Sequence, residues 1–164
     1  MASPLFELVT ELQTLTRRDF PAATESDLNP ISARPLVEGE WLELDANYKL
    51  VRGGNNSAVD ADEGTSMNQF VVHTERGRYD TQAIKKINVL FLGMYEAETQ
   101  IMSTTGPLLL GSALTVQDIS IGGIVRRGLA LAGATANRVV VGYVSKLVSS
   151  TKIRFIHMGN TKYA

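Results

Sequence analysis

Apolar residues recur along this chain at two different spacings. Near the start, Leu5, Leu8, Val9, Leu12 and Leu15 fall at intervals of three and four, the period of one face of a helix. Ser3 suits a cap and Pro4 a first turn. Glu7 and Glu11 precede Arg17 and Arg18, the order that the helix dipole favours. The spacing therefore predicts a short N-terminal helix. Pro21, Pro30 and Pro35 then break the pattern, so residues 19–35 read as an extended connector.

From about residue 35 the pattern changes to β. In "VEGEWLELDANYKLVRGG", Trp41 and Glu43 alternate with Leu42 and Leu44, and "DAN" supplies a turn before Tyr48–Val51 returns as the second arm of a hairpin. "NNSAVDADEGTSMN" is a polar loop, "QFVVHT" a strand and "ERGRYDTQA" a turn region. "IKKINVLFLG" is read as strand over helix because Ile84, Ile87, Val89, Leu90, Phe91 and Leu92 make it β-rich and Gly93 interrupts it. "YEAETQIM" sets Ala97, Thr99 and Ile101 against Glu96, Glu98 and Gln100. Residues 107–117, 124–130, 138–148 and 152–157 add short strands. Short strands, glycine turns and no internal repeat predict a mainly β protein. It divides into a helical arm with a proline-containing linker (1–34) and a β-rich barrel or sandwich body (35–164).

Composition narrows the chemistry. There is no cysteine, which excludes disulfides, thiolate nucleophiles and cysteine–zinc sites. The start has no basic region ahead of an apolar run, as a secretory signal would, and no apolar run reaches the length of a membrane span. A cytoplasmic site of synthesis is expected. Net charge is −1, but residues 1–80 carry 14 acids and 7 bases and residues 81–164 carry 3 acids and 9 bases. Such asymmetry can guide head-to-tail contacts between copies or contact with a charged surface; mixing of both signs on one folded surface is the plainer reading.

The two histidines, His73 and His157, each sit in a strand-like run. A lone strand histidine is a structural residue more often than a ligand, though the pair would share a site if their strands met. Asp60, Asp62 and Gly64 resemble the first half of a calcium loop, but Val71 stands where the closing glutamate is needed. Arg126 and Arg127 beside glycines lack the lysine and hydroxyl of a phosphate loop. Adjacent on a strand, they point to opposite faces, so at least one is expected to be exposed or ion-paired, with a partner contact as a candidate role. Lys85 and Lys86 read the same way. No "GxSxG" occurs, and no histidine–acid pair can be assigned to a serine. An enzyme is not expected, nor is any cofactor. The leucines Leu5, Leu8, Leu12 and Leu15 can pack on the body or reach a neighbouring subunit.

The C-terminal strands carry a resemblance. "GSALTV", "RRGLALAGATANRVVVGYVSK" and "TKIRFIH" are similar to the head-decoration (cement) proteins of tailed bacteriophages, including the phage lambda type. Gly111, Leu114, Thr115 and Val116 fall in that family's G-x-x-L-T-V segment, Gly128, Leu129 and Ala130 in its GLA segment, and Val140 to Val144 in its VVG strand. The resemblance covers mainly residues 107–158 and, more weakly, 36–105. The chain departs from it in its N-terminal segment and in being longer than the smallest members.

The resemblance implies a β-tulip-like body and a structural virion protein on the capsid exterior, assembled in the host cytoplasm. It implies the major capsid protein as partner and a homotrimer at three-fold or quasi-three-fold positions, with no nucleic acid, membrane or small-molecule substrate. Candidate capsid or subunit contacts are Leu5, Leu8, Leu12, Leu15, Arg126 and Arg127. Gly111 and Gly142 are expected at a sharp bend or a close backbone approach. Alternatives are another phage structural module, of the tail, collar or baseplate, and a small ligand-binding or hydrolytic β-barrel using the histidines.

Overall fold

The computed structural model describes residues 4–21, 36–44, 50–51, 69–73, 78–79, 86–133, 139–159 and 161–162. Among these the secondary structure is β throughout, with no helix. The strands are β1 (Phe6–Pro21), β2 (Leu36–Val37), β3 (Trp41–Leu44), β4 (Leu50–Val51), β5 (Gln69–Val72), β6 (Arg78–Tyr79) and β7 (Lys86–Thr99). They continue with β8 (Ala113–Ile121), β9 (Ile124–Leu131), β10 (Val139–Val140), β11 (Gly142–Ser149), β12 (Lys152–His157) and β13 (Thr161–Lys162).

β7 organises the main sheet, whose order is β4-β3-β5-β7-β12-β11-β8-β9. One edge of β7 is lined by β1. The other is shared in succession: β5 pairs with Val89 and Leu90, and β12 with Tyr95 to Thr99. Ala97 shows both sides, with Leu8 as one partner and Phe155 as the other. The expected "IKKINVLFLG" strand and the "YEAETQ" alternation are thus one 14-residue strand. The hairpin at Trp41–Leu44 forms as expected, with Glu43 opposite Val51 and Leu44 opposite Leu50.

The sheet curls into a half-barrel that brings β9 beside β3. Beyond Thr99 the chain crosses from the end of β7 to the free edge of β9. There the Leu129 amide donates to the Ile101 carbonyl at 2.9 Å, and the Ser103 amide donates to the Leu129 carbonyl at 2.7 Å. This crossing needs a glycine: a Cβ at Gly128 would fall on the Ile101 carbonyl. Gly142 has the same role against the Ile156 carbonyl, and Gly111 takes a positive φ of 78° in a turn.

The concave side encloses the main core, with Trp41, Leu114, Val116, Leu129, Val141, Ile153 and Phe155. Trp41 and Phe155 meet at 6.4 Å, and Tyr95 approaches Phe155 edge-on at 6.1 Å. A second cluster of Leu36, Leu42, Leu50, Val72 and Val89 lies on the opposite face. Neighbouring residues on one strand face opposite sides of a sheet. Trp41, Val71 and Leu90 therefore enter the first core, while Leu42, Val72 and Val89 enter the second. The β3-β5-β7 part of the sheet is buried on both faces.

The expected N-terminal helix is not formed. Residues 6–21 are the 16-residue strand β1, antiparallel to β7. The sequence reads equally at a spacing of two: Phe6 is buried and Leu8 half-buried, while Glu7 is exposed. Helix propensity is a weak prior against pairing with a long strand. Burial of Phe6 in the main core adds about 2 kcal/mol to that pairing. Four register shifts along β1 interrupt its alternation, which is what lets a helical period appear in the sequence. Of the connector, residues 19–21 belong to this strand, and 22–35 lie outside the described residues.

Candidate functional site

Curling of the sheet creates a seam of charge where β9 meets β3. The two arginines of β9 point to opposite sides, and each finds carboxylates. Arg126 Nη1 donates to Glu40 Oε1 at 2.9 Å; Glu40 is fully buried and also accepts from the Val37 amide at 3.4 Å. Arg127 Nη1 lies 3.6 Å from Asp118 Oδ1, and its Nη2 lies 4.0 Å from Glu43 Oε2. Arg127 is 1% exposed. At least one exposed or ion-paired arginine is expected; both are ion-paired, with carboxylates of this same chain. Sequence reading found the arginines but not their partners, since Glu40 is 86 residues from Arg126.

Leu5 and Leu8 are half-buried against their own body, Leu8 on the main core; the Leu5 carbonyl accepts from the Gln100 amide at 2.8 Å. Leu15 lies opposite Leu92, and Leu12 sits at a register shift between Glu11 and Gln13. The side chains of Leu12 and Leu15 lie outside the described residues, as do Asp60, Asp62, Gly64 and Lys85. Lys86 begins β7 opposite Pro21, its side chain likewise outside them.

The histidines do not share a site through strand pairing, because β5 and β12 each pair with β7 and not with one another. His73 Nδ1 is 2.7 Å from Glu38 Oε1. His157 Nδ1 donates to the Val141 carbonyl at 2.6 Å, and its ring stacks on Tyr95 at 4.8 Å beside Trp41. Burial pushes its pKa below the usual histidine value, and the hydrogen bond to Val141 opposes this only in part. His157 is thus a neutral wall of the aromatic core. Burial likewise raises the Tyr95 hydroxyl far above the usual range.

A cleft of about 450 Å³ lies between the crossing segment and the end of β8, lined by Gln100, Ser103, Thr105, Asp118, Ser120 and Thr151 among others. It offers hydroxyls and one carboxylate that lies near Arg127. No group of three or more metal-ligating side chains occurs among the described residues.

Two surfaces were not legible beforehand. On the convex face of β7 and β12, Glu98 accepts from Arg154 Nη2 at 2.7 Å and pairs with Lys152. Both cations hold its carboxyl below the usual carboxylate range. Ser145 donates to Glu96 at 2.7 Å beside them. The signal was the spacing of two in "EAE" and "KIR", which puts like charges on one face of each strand. The second surface is apolar. Leu109 and Leu110 are 61% and 67% exposed in a turn held to β11 by the Gly111 amide, which donates to the Val144 carbonyl. Leu147 and Val148 stand exposed at the end of the same strand.

Comparison with protein-family models, curated proteins and solved structures finds no match for this chain.

Proposed function

We propose that this chain is a structural virion protein that binds the outside of an expanded bacteriophage capsid and cements neighbouring major-capsid subunits, as a trimer at three-fold or quasi-three-fold positions. The observation that carries the reading is where apolar surface is exposed. Of the ten exposed large hydrophobic residues among the described ones, eight (Leu109, Leu110, Ile124, Leu131, Tyr143, Leu147, Val148 and Met158) lie in residues 107–158, the part that resembles the decoration proteins. Apolar side chains left in water in this concentration mark a surface meant to be covered. The same residues supply the consecutive run β12-β11-β8-β9 of the sheet. Glu40, Glu43, Asp118 and Glu98 form structural pairs with Arg126, Arg127 and Arg154, as suits a body that must hold its shape across a joint between subunits. Many copies on one shell turn modest single contacts into large avidity.

Co-sedimentation of the purified chain with undecorated, expanded shells of its own virus tests this. Saturable binding near one trimer per three-fold site is expected. Absence from shells, with the protein in tail fractions, moves the reading to a tail or collar component. A hydrolytic activity lost in His73→Ala or His157→Ala, with assembly intact, replaces both.

A further inference from the structure

A row of charged residues runs straight across four strands on the convex face. Glu7 of β1 lies opposite Glu98 of β7, Glu98 opposite Arg154 of β12, and Arg154 opposite Lys146 of β11. The two acids occupy one side and the two bases the other. The middle of the row is satisfied internally, by Glu98 with Arg154 and Lys152. The ends are different: Glu7 and Lys146 are exposed, and neither makes an ion pair among the described residues.

Each end also lies at a strand edge. Among the described residues, β1 pairs only with β7, and β11 beyond Val144 pairs only with β12. Apolar residues flank both ends. Val9 is exposed two residues from Glu7; Leu147, Val148 and the Leu109–Leu110 turn are exposed near Lys146. Three successive antiparallel pairings make β1 antiparallel to β11. A second copy set beside the first in the same orientation therefore brings its β1 antiparallel to the outer half of β11.

We infer that copies of this chain associate head to tail, the β1 edge of one lying along the outer half of β11 of the next, with Lys146 facing Glu7 of the neighbouring copy and the charge row continuing from one molecule into the next. The occupant is a second copy because the two ends match each other in sign, in apolar flank and in strand direction. A contact of this kind uses a different surface on each partner, so it makes a ring where successive copies rotate about a common axis and an open filament where they do not. A ring of three is the closure that the cement reading requires, and the inference rests on that reading's claim that copies of this chain meet.

The test is sedimentation velocity of the full chain and of Glu7→Lys, Lys146→Glu and the double variant. Wild type is expected as a trimer. Each single reversal sets like charges against each other and weakens association by about tenfold or more per contact. The double variant restores the trimer, because the pair is rebuilt with its signs exchanged. Both positions are exposed, so circular dichroism should show the same β content in all four proteins, which separates a lost contact from a lost fold; the single variants should melt lower only by what association adds, a gap that closes on dilution. A monomeric wild type, a closed two-fold dimer, single variants that associate like wild type, or a double variant that is not rescued would each overturn the contact. Shell binding is scored separately. The rescue pattern without shell binding leaves the contact and removes the cement role; shell binding at full occupancy without this pattern does the reverse.

Discussion

The seam and the convex face use the same chemistry in opposite surroundings. At the seam, Glu40 is fully buried and its partner Arg126 nearly so. On the convex face, the side chains of Lys152 and Arg154, which share Glu98, keep 15% and 28% of their exposure. Glu98 itself is nearly buried, so water reaches the second group through its two cations, and it does not reach the first. A buried pair costs both desolvations and returns them only while both partners are present. A pair in contact with water can lose a member and be rehydrated. The seam therefore commits the curl of the sheet, holding β9 against β3, whereas the convex row leaves charge available to a neighbour.

The largest expected effect breaks the seam. Glu40→Ala removes the 2.9 Å partner of Arg126 and should cost about 3–5 kcal/mol in urea unfolding. Replacing both partners, Glu40→Met with Arg126→Leu, should recover most of that loss, which would show that the penalty comes from the stranded charge. If the double variant is as unstable as the single one, the pair itself holds the curl. Glu98→Ala should cost only about 1 kcal/mol and show a loss that shrinks as salt is added. A salt-independent loss as large as that of Glu40→Ala would erase the distinction between the two regions.

Acid should separate them further. The Glu98 carboxyl is held below its unfolded value in the folded chain, so its contribution is complete above that unfolded value and is lost as pH falls through the folded one. Lys152→Ala or Arg154→Ala should flatten this acid limb in a pH series of melting temperatures. The smallest effect belongs to His157, whose folded pKa is depressed by burial. Below the unfolded histidine value of about 6.5 the unfolded chain binds a proton that the folded chain resists. Stability should therefore be flat above about pH 6.5 and decline below it. His157→Phe should remove that decline, and an unchanged slope would place its origin elsewhere.

Much of the body could be read from the chain because its hairpins are local. The strands at Ala113–Ile121, Ile124–Leu131, Gly142–Ser149 and Lys152–His157 turn back on themselves within a few residues, so alternation and glycine placement suffice. The N-terminal segment could not be read that way. Its partner lies far off in sequence, and register shifts hide the alternation that Phe6 and Leu8 obey. The candidate contacts divided likewise. Arg126 and Arg127 were visible as an isolated basic pair, but their burial depends on Glu40, Glu43 and Asp118 arriving when the sheet curls. The exposed leucines at 109 and 110 read as strand in "PLLLGS", because nothing local distinguishes a covered apolar run from an uncovered one.

The pairing of β1 with β7 also has a consequence in time. Phe6 meets Thr99 and Pro21 meets Lys86, so even the nearest pair is separated by 65 positions. A ribosome adding roughly 5–20 residues per second needs about 3–13 s to make that interval. Throughout it the first 16-residue strand has no β7 of its own to pair with. Contacts of such long range are slow to form even on a finished chain. During that wait, the β7 of a copy completed earlier is a chemically identical partner. Crowding of nascent chains on one message therefore favours exchange of the first strand between copies, and dilute synthesis favours each chain's own.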